Sequence, residues 1–208
     1  MEDVLDIYQL PYDEQHPVVC FDETSKQLIA ETRQPLPAQS GQVERYDTEY
    51  QRNGTRNLFM LFEPLAGFRR VEITAQRTIP DFAECMRLLT EDIYPTATRI
   101  RVVLDNLNTH KPASLYATFP PEQANRILKR LEFHYTPKHG SWLNMAEIEF
   151  SVFSRQCLAD RIPDEATLNA EVAALEAERN VAQATVHWAF TSSDARLKLK
   201  RLYPVNSD

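Results

Sequence analysis

Apolar and polar positions divide this chain into short extended runs followed by amphipathic helical ones. Residues 17–24, centred on Val18-Val-Cys-Phe21, form a first β-rich run. Asn57–Glu63 and Phe68–Thr74, separated by Pro64-Leu-Ala-Gly67, read as a β-hairpin. Thr78 and Pro80 open a helix whose Phe82, Met86, Leu89 and Ile93 recur at near-helical spacing. Ile100–Asp105 is apolar apart from Arg101 and reads as a strand buried on both faces. A helix over 121–130 groups Ala124, Ile127, Leu128 and Leu131, and Leu131–Tyr135 alternates as a fifth strand. Helices follow over 145–159 and 164–180, the second with Leu168, Val172 and Leu175 on one stripe. The polar stretch from Pro35 to Gln51, with Pro37, Ser40 and Gly41, reads as a long loop. This order predicts an α/β fold, a mixed sheet flanked by helices. Residues 1–16 read as an acidic lead-in segment and 17–204 as a single domain.

Composition narrows the picture modestly. With 208 residues, 43% hydrophobic and 25% charged, the chain can bury a substantial core. It has no apolar run of membrane-spanning length, and Met1-Glu-Asp-Val-Leu-Asp6 lacks the features of a signal peptide, so a cytoplasmic location with no membrane partner is expected. Cys20, Cys85 and Cys157 are scattered in apolar surroundings, as buried free thiols would be. The net charge of −7 argues against strong non-specific nucleic-acid binding by the whole surface. One basic run, Arg196-Leu-Lys-Leu-Lys-Arg-Leu202, brings Lys198, Lys200 and Arg201 together. It is either a nucleic-acid contact or a solvated face. The five histidines have no zinc-ligand spacing, and neither a phosphate-binding glycine loop nor a nucleophile elbow is found.

The carboxylates carry the candidate chemistry. Asp22 and Asp105 each end an apolar run. Asp is disfavoured inside strands, and on neighbouring strands the two would converge at one sheet edge. The competing reading is a strand-end turn, with Asp105-Asn106 an Asx turn. Asn144-x-x-Glu147 has two readings as well: a capping box, or a third acid at a helix start. Glu147 and Glu149 project roughly 160° apart around a helix, so only one can face such a site. Glu147 lines up with the small residues Ser151 and Ser154 and is assigned to it, with Glu149 in support. Glu23 alternates to the far side of its strand from Asp22 and is not assigned as a ligand. Three such acids suit two Mg²⁺ ions in phosphodiester displacement. His110 is open to contacting a phosphate, positioning the strand end, or simple packing.

Three segments together carry a family resemblance: Val19-Cys-Phe-Asp-Glu-Thr24, Leu104-Asp-Asn-Leu-Asn-Thr-His110 and Tyr135-Thr-Pro-Lys-His-Gly-Ser-Trp-Leu-Asn-Met-Ala-Glu-Ile-Glu149. They resemble the catalytic domain of bacterial insertion-sequence transposases of the mariner-related superfamily, as does the ending Trp188–Pro204. The resemblance implies a ribonuclease-H-like, retroviral-integrase-type fold with five strands. It also implies an Asp-Asp-Glu triad on Asp22, Asp105 and Glu147, with 82 and 41 residues between them. Further implications are two Mg²⁺ or Mn²⁺ ions, cleavage at transposon ends, joining of the 3′-hydroxyl to target DNA at TA, and a homodimer on DNA. Asn106, His110, Asn144, Glu149, Lys198, Lys200 and Arg201 are the candidate substrate or support residues. Family members usually carry N-terminal helix-turn-helix modules, and the chain starts close before Asp22. The alternatives are therefore a non-enzymatic truncated form that modulates full-length partners, or another ribonuclease-H-like nuclease.

Overall fold

The computed structural model describes residues 1–33, 36–43, 45, 48–138 and 140–203, with Leu202 in backbone only. Pro35, His139 and Pro204, with the expected domain end at 204, lie outside the described residues. The strands are β1 (Val18–Glu31), β2 (Tyr50–Glu63), β3 (Phe68–Thr74), β4 (Ile100–Leu104) and β5 (Leu131–Tyr135), forming one five-stranded sheet in the order β3-β2-β1-β4-β5. The β1–β2 and β2–β3 pairs are antiparallel, and β1–β4 and β4–β5 are parallel. The expected hairpin forms as read. Gly67 turns it at φ +65°, where an added Cβ would lie 2.5 Å from the Gln183 carbonyl carbon, so a side chain has no room. Both β1 and β2 run further than expected, to Glu31 and from Tyr50, because their polar ends pair with each other. Ser25 Oγ, for example, donates to Asn57 Oδ1 at 2.7 Å.

The helices are α1 (Glu2–Tyr8), α2 (Ile79–Arg87), α3 (Pro112–Thr118), α4 (Pro121–Leu128), α5 (Met145–Gln156), α6 (Glu165–Val181) and α7 (Ser192–Lys198). The two faces of the sheet bury separate cores. Val19 and Phe21 of β1 join Phe82, Met86, Leu115 and Ile127 from α2, α3 and α4. Cys20 joins Phe150, Phe153, Leu168 and Val172 from α5 and α6. This alternation along β1 is the period of two of an extended strand read out as two layers. Three elements differ from the sequence reading. The lead-in segment contains α1, whose Val4 and Leu5 are fully buried in the second core; each such side chain contributes roughly 1.5–3 kcal/mol. Helix α3, started by Pro112 and burying Leu115, is too short for its periodicity to register. The helix from Thr78 ends at Arg87 and continues as a π-helical stretch, Leu88–Ile93, where Tyr94 N bonds Leu89 O. No helix among the described residues is long and apolar enough to cross a membrane.

Candidate active site

The register of β1 and β4 aligns the first two acids. Val18 pairs with Arg101, Val19 with Val102 and Cys20 with Val103, and the same offset carried two residues on sets Asp22 beside Asp105. Cys20 and Val103 lie in the core covered by α5, so alternation along β1 puts Asp22 on that face and Glu23 on the other, while Asp105 directly follows the last residue of β4 at the same sheet edge. The third acid is brought in by α5. Asn144, its N-cap, accepts from Ala146 N through Oδ1 at 3.2 Å and donates through Nδ2 to the Phe21 carbonyl at 2.8 Å. The capping role of Asn144 is therefore real, but the reciprocal half of a capping box is not made. The Asn144 N–H bonds Ser141 O, and the half-buried Glu147 carboxylate makes no hydrogen bond or ion pair with the described residues. That leaves Glu147 available to the site.

The acids feel one another. Burial, together with the charges of Glu23, Glu147 and Asp105, pushes the Asp22 carboxyl up to about 7, against a backbone hydrogen bond from Glu23 N at 2.9 Å. Asp105 Oδ1 accepts from Leu107 N at 3.3 Å, so the Asx turn read in the sequence is present. The same oxygen lies 2.5 Å from His110 Nδ1. His110 is buried, edge-on to Phe21 and tilted against Phe82. Its Nε2 lies 3.2 Å from Glu23 Oε2, too far off line for a hydrogen bond, which leaves that oxygen buried without a hydrogen-bond partner. Burial lowers the imidazole pKa, but Asp105 and Glu23 outweigh it and raise it to about 9. Of the roles open to His110, a phosphate contact is disfavoured, since Nδ1 is taken by Asp105 and Nε2 is buried facing Glu23. Among the described residues no group of three or more His, Cys, Asp or Glu side chains is already drawn together as a metal cage.

Glu149 is in a different place from Glu147. It is fully buried and receives Arg179 Nε and Nη2 at 2.5 and 2.9 Å, with Arg69 Nε at 3.0 Å. Arg69 is itself fully buried and donates to Gly67 O and Ala184 O at 2.8 and 2.6 Å. This ion-pair cluster ties α5 to β3 and α6. The basic run near the end forms the last turn of α7 and a 3₁₀ turn, Lys200–Leu202, not an extended element. Lys198 Nζ sits over the Phe190 ring at 5.5 Å and 3.8 Å from Asp194, while Lys200 and Arg201 are exposed. The run is attached to α1 through Arg196 and Glu2, at 2.7 Å, and among the described residues it makes no ion pair or hydrogen bond with the three acids.

Beside Asp105, a cavity of about 400 Å³ is lined by Asn106, Leu107, Thr136, Pro137, Lys138 and Ser141. Thr136, Lys138 and Ser141 were not singled out from the sequence, although they lie inside the segment that carries the family resemblance. A larger cavity, about 500 Å³, lies against Glu63, Phe68, Arg70 and Tyr94 and contains none of the three acids.

The family model of the DDE superfamily endonucleases matches residues 17–169. Among solved structures, the fold is similar to that of the Mos1 strand transfer complex, with a TM-score of 0.55 and 11% identity over 88% of this chain and 58% of that one. It is also similar to the Mos1 mariner paired end complex with Mn, at 0.53 and 13% over 87% and 55%. The Mos1 paired-end complex with left transposon end gives 0.54 and 12% over 88% and 57%. The chain thus spans somewhat more than half the length of these proteins, and at such identities the likeness is one of fold. That fold is the ribonuclease-H-like α/β arrangement expected from the sequence. Among curated proteins no sequence match is found.

Proposed function

Because the chain belongs to the DDE superfamily endonucleases, we propose that it is the catalytic domain of a transposase, with Asp22, Asp105 and Glu147 as its metal-binding triad. The observation that supports this is the placement of Asp22 beside Asp105 at one sheet edge with the start of α5 tied next to them, where burial and the charges of Glu147 and Asp105 raise the proton affinity of Asp22. Carboxylates so placed suit a cation, and their hard oxygens are the donors that Mg²⁺ or Mn²⁺ prefers. Two ions held there would supply activation of an attacking oxygen and stabilisation of a leaving one in phosphodiester displacement.

The other residues act on the triad. His110 holds the Asp105 carboxylate from one side, and the Asx turn to Leu107 holds it from the other. Asn144 keeps the start of α5 against β1 next to Asp22. Glu149 anchors α5 from below through Arg69 and Arg179. The substrate is DNA, cleaved at transposon ends and joined through its 3′-hydroxyl to a TA target by a dimer. The family resemblance supports this, as do fold relatives that are themselves strand transfer and paired-end complexes.

Titration calorimetry with Mn²⁺ tests the assignment. Wild type is expected to bind, Asp22→Asn and Glu147→Gln to lose binding, and plasmid nicking with Mn²⁺ to follow the same order. Binding by Glu147→Gln equal to wild type would remove Glu147 from the site.

A further inference from the structure

The cavity beside Asp105 has that one member of the triad in its wall and extends away from the other two acids along the same strand ends. Its walls are two loops leaving the parallel strands β4 and β5: Asn106 and Leu107 on one side, Thr136, Pro137, Lys138 and Ser141 on the other. The second loop is tightly drawn. Thr136 N bonds Leu104 O at 2.9 Å, Gly140 N bonds Pro137 O at 2.8 Å, and a Cβ at Gly140 would lie 2.5 Å from Pro137 Cγ. Lys138 follows Pro137 between these two anchored points. Lys138 is exposed, is the one cation among the described lining residues, and makes no ion pair or hydrogen bond with the described residues. Leu107 stays 39% exposed, and Pro137 is also exposed.

Among the described residues the wall chemistry is thus mixed: one unpaired ammonium, an amide and hydroxyls, two exposed apolar faces, and the Asp105 carboxylate at one end. An ammonium with hydroxyl and amide neighbours suits a phosphate, and the apolar faces suit a sugar or the flat face of a base. At about 400 Å³ the cavity is large enough for one such unit, at the lower end of the ~300–1,000 Å³ typical of ligand pockets.

We infer that this cleft receives the DNA strand flanking the scissile phosphate, with Lys138 on a neighbouring phosphate and Leu107 against the adjoining nucleoside. The inference rests on the DNA-cleaving reading above and names where that substrate runs. Lys138 is then a substrate-binding residue, and the basic run on α7 is not needed for contact near the triad.

The test is fluorescence anisotropy of the full chain with a labelled oligothymidylate in Mn²⁺ buffer, repeated over a salt series. Lys138→Ala is expected to weaken binding about three- to tenfold and to flatten the salt dependence by ~0.7, the value for one phosphate contact on a single strand. Lys138→Arg should keep the slope, and Leu107→Ala should weaken binding with the slope unchanged. Because Lys138 is exposed, its variants should unfold at the wild-type temperature, so lost binding would not reflect lost folding. Lys138→Ala with wild-type affinity and slope overturns the cleft assignment alone. So does a slope that changes only with Lys198→Ala or Lys200→Ala. Wild-type protein that binds no oligonucleotide at any salt overturns the cleft and the DNA reading together.

Discussion

Asn144 donates from Nδ2 to the carbonyl of Phe21 at 2.8 Å, which ties the start of the helix carrying Glu147 to the residue before Asp22. Both partners are buried, and one side chain thus serves as a helix cap and as a strap between two parts of the site. Asn144→Ala removes both bonds and leaves the Phe21 carbonyl buried without its donor. A loss of ~1–3 kcal/mol is expected, read by urea denaturation, together with weaker Mn²⁺ binding. Asn144→Asp retains the cap acceptor but not the donor, so it should recover part of the stability and little of the metal affinity.

Glu147 and Glu149 are expected to separate cleanly into function and stability. Glu149→Gln leaves Arg69 buried without its full counter-charge, and breaking such a pair costs ~3–5 kcal/mol. Glu147→Gln disturbs no internal partner and should shift the denaturation midpoint little while abolishing Mn²⁺ binding. The reverse pattern in paired denaturation and calorimetry would exchange the two assignments.

His110 is held between Asp105 and Glu23 and should act as a positioning residue. Partners that orient metal-binding side chains in this way alter metal affinity by ~10–100-fold. His110→Ala is expected to show a loss in that range by calorimetry. Glu23→Gln, which can no longer attract the imidazolium, should give a smaller loss of the same kind. Unchanged Mn²⁺ affinity in a folded His110→Ala protein would reduce the histidine to packing between Phe21 and Phe82.

A pH-dependent stability difference is expected at Glu63, well away from the triad. Its carboxylate is buried and accepts from Tyr94 OH at 2.6 Å, and burial raises its pKa above the ordinary 4.5. A raised folded pKa means that its contribution is fully present below the unfolded value and is lost as pH rises through the folded one. Glu63→Gln keeps an acceptor for Tyr94 and carries no charge. It should match wild type near pH 4 and be the more stable of the two at pH 7. Thermal melts of both proteins across that range measure the difference, and parallel curves would refute it.

All five strands and most helices were legible in the amino-acid sequence because each declares itself locally. Alternation gave β5, an apolar run broken only by Arg101 gave β4, and Pro64–Gly67 gave the hairpin turn. Helix α1 was not legible, since a seven-residue acidic helix shows too little periodicity; only its place against α7 and the second core makes it stable. Helix α3 is equally short.

The candidate site divides along the same line. The identities of Asp22, Asp105 and Glu147 came from strand ends, a helix start and the family resemblance. The choice of Glu147 over Glu149 also followed from helical angle together with the small residues Ser151 and Ser154 in line with Glu147. Other features depend on residues far apart in the chain. They include the register that sets Asp22 beside Asp105 and the Asn144 strap to Phe21. They also include the Glu23–His110–Asp105 contact and the burial of Glu149 between two arginines. Local pattern reports which way a side chain faces along its own strand or helix. Which other element it meets, and whether a carboxylate there is left open or neutralised, is decided only when the sheet and helices pack.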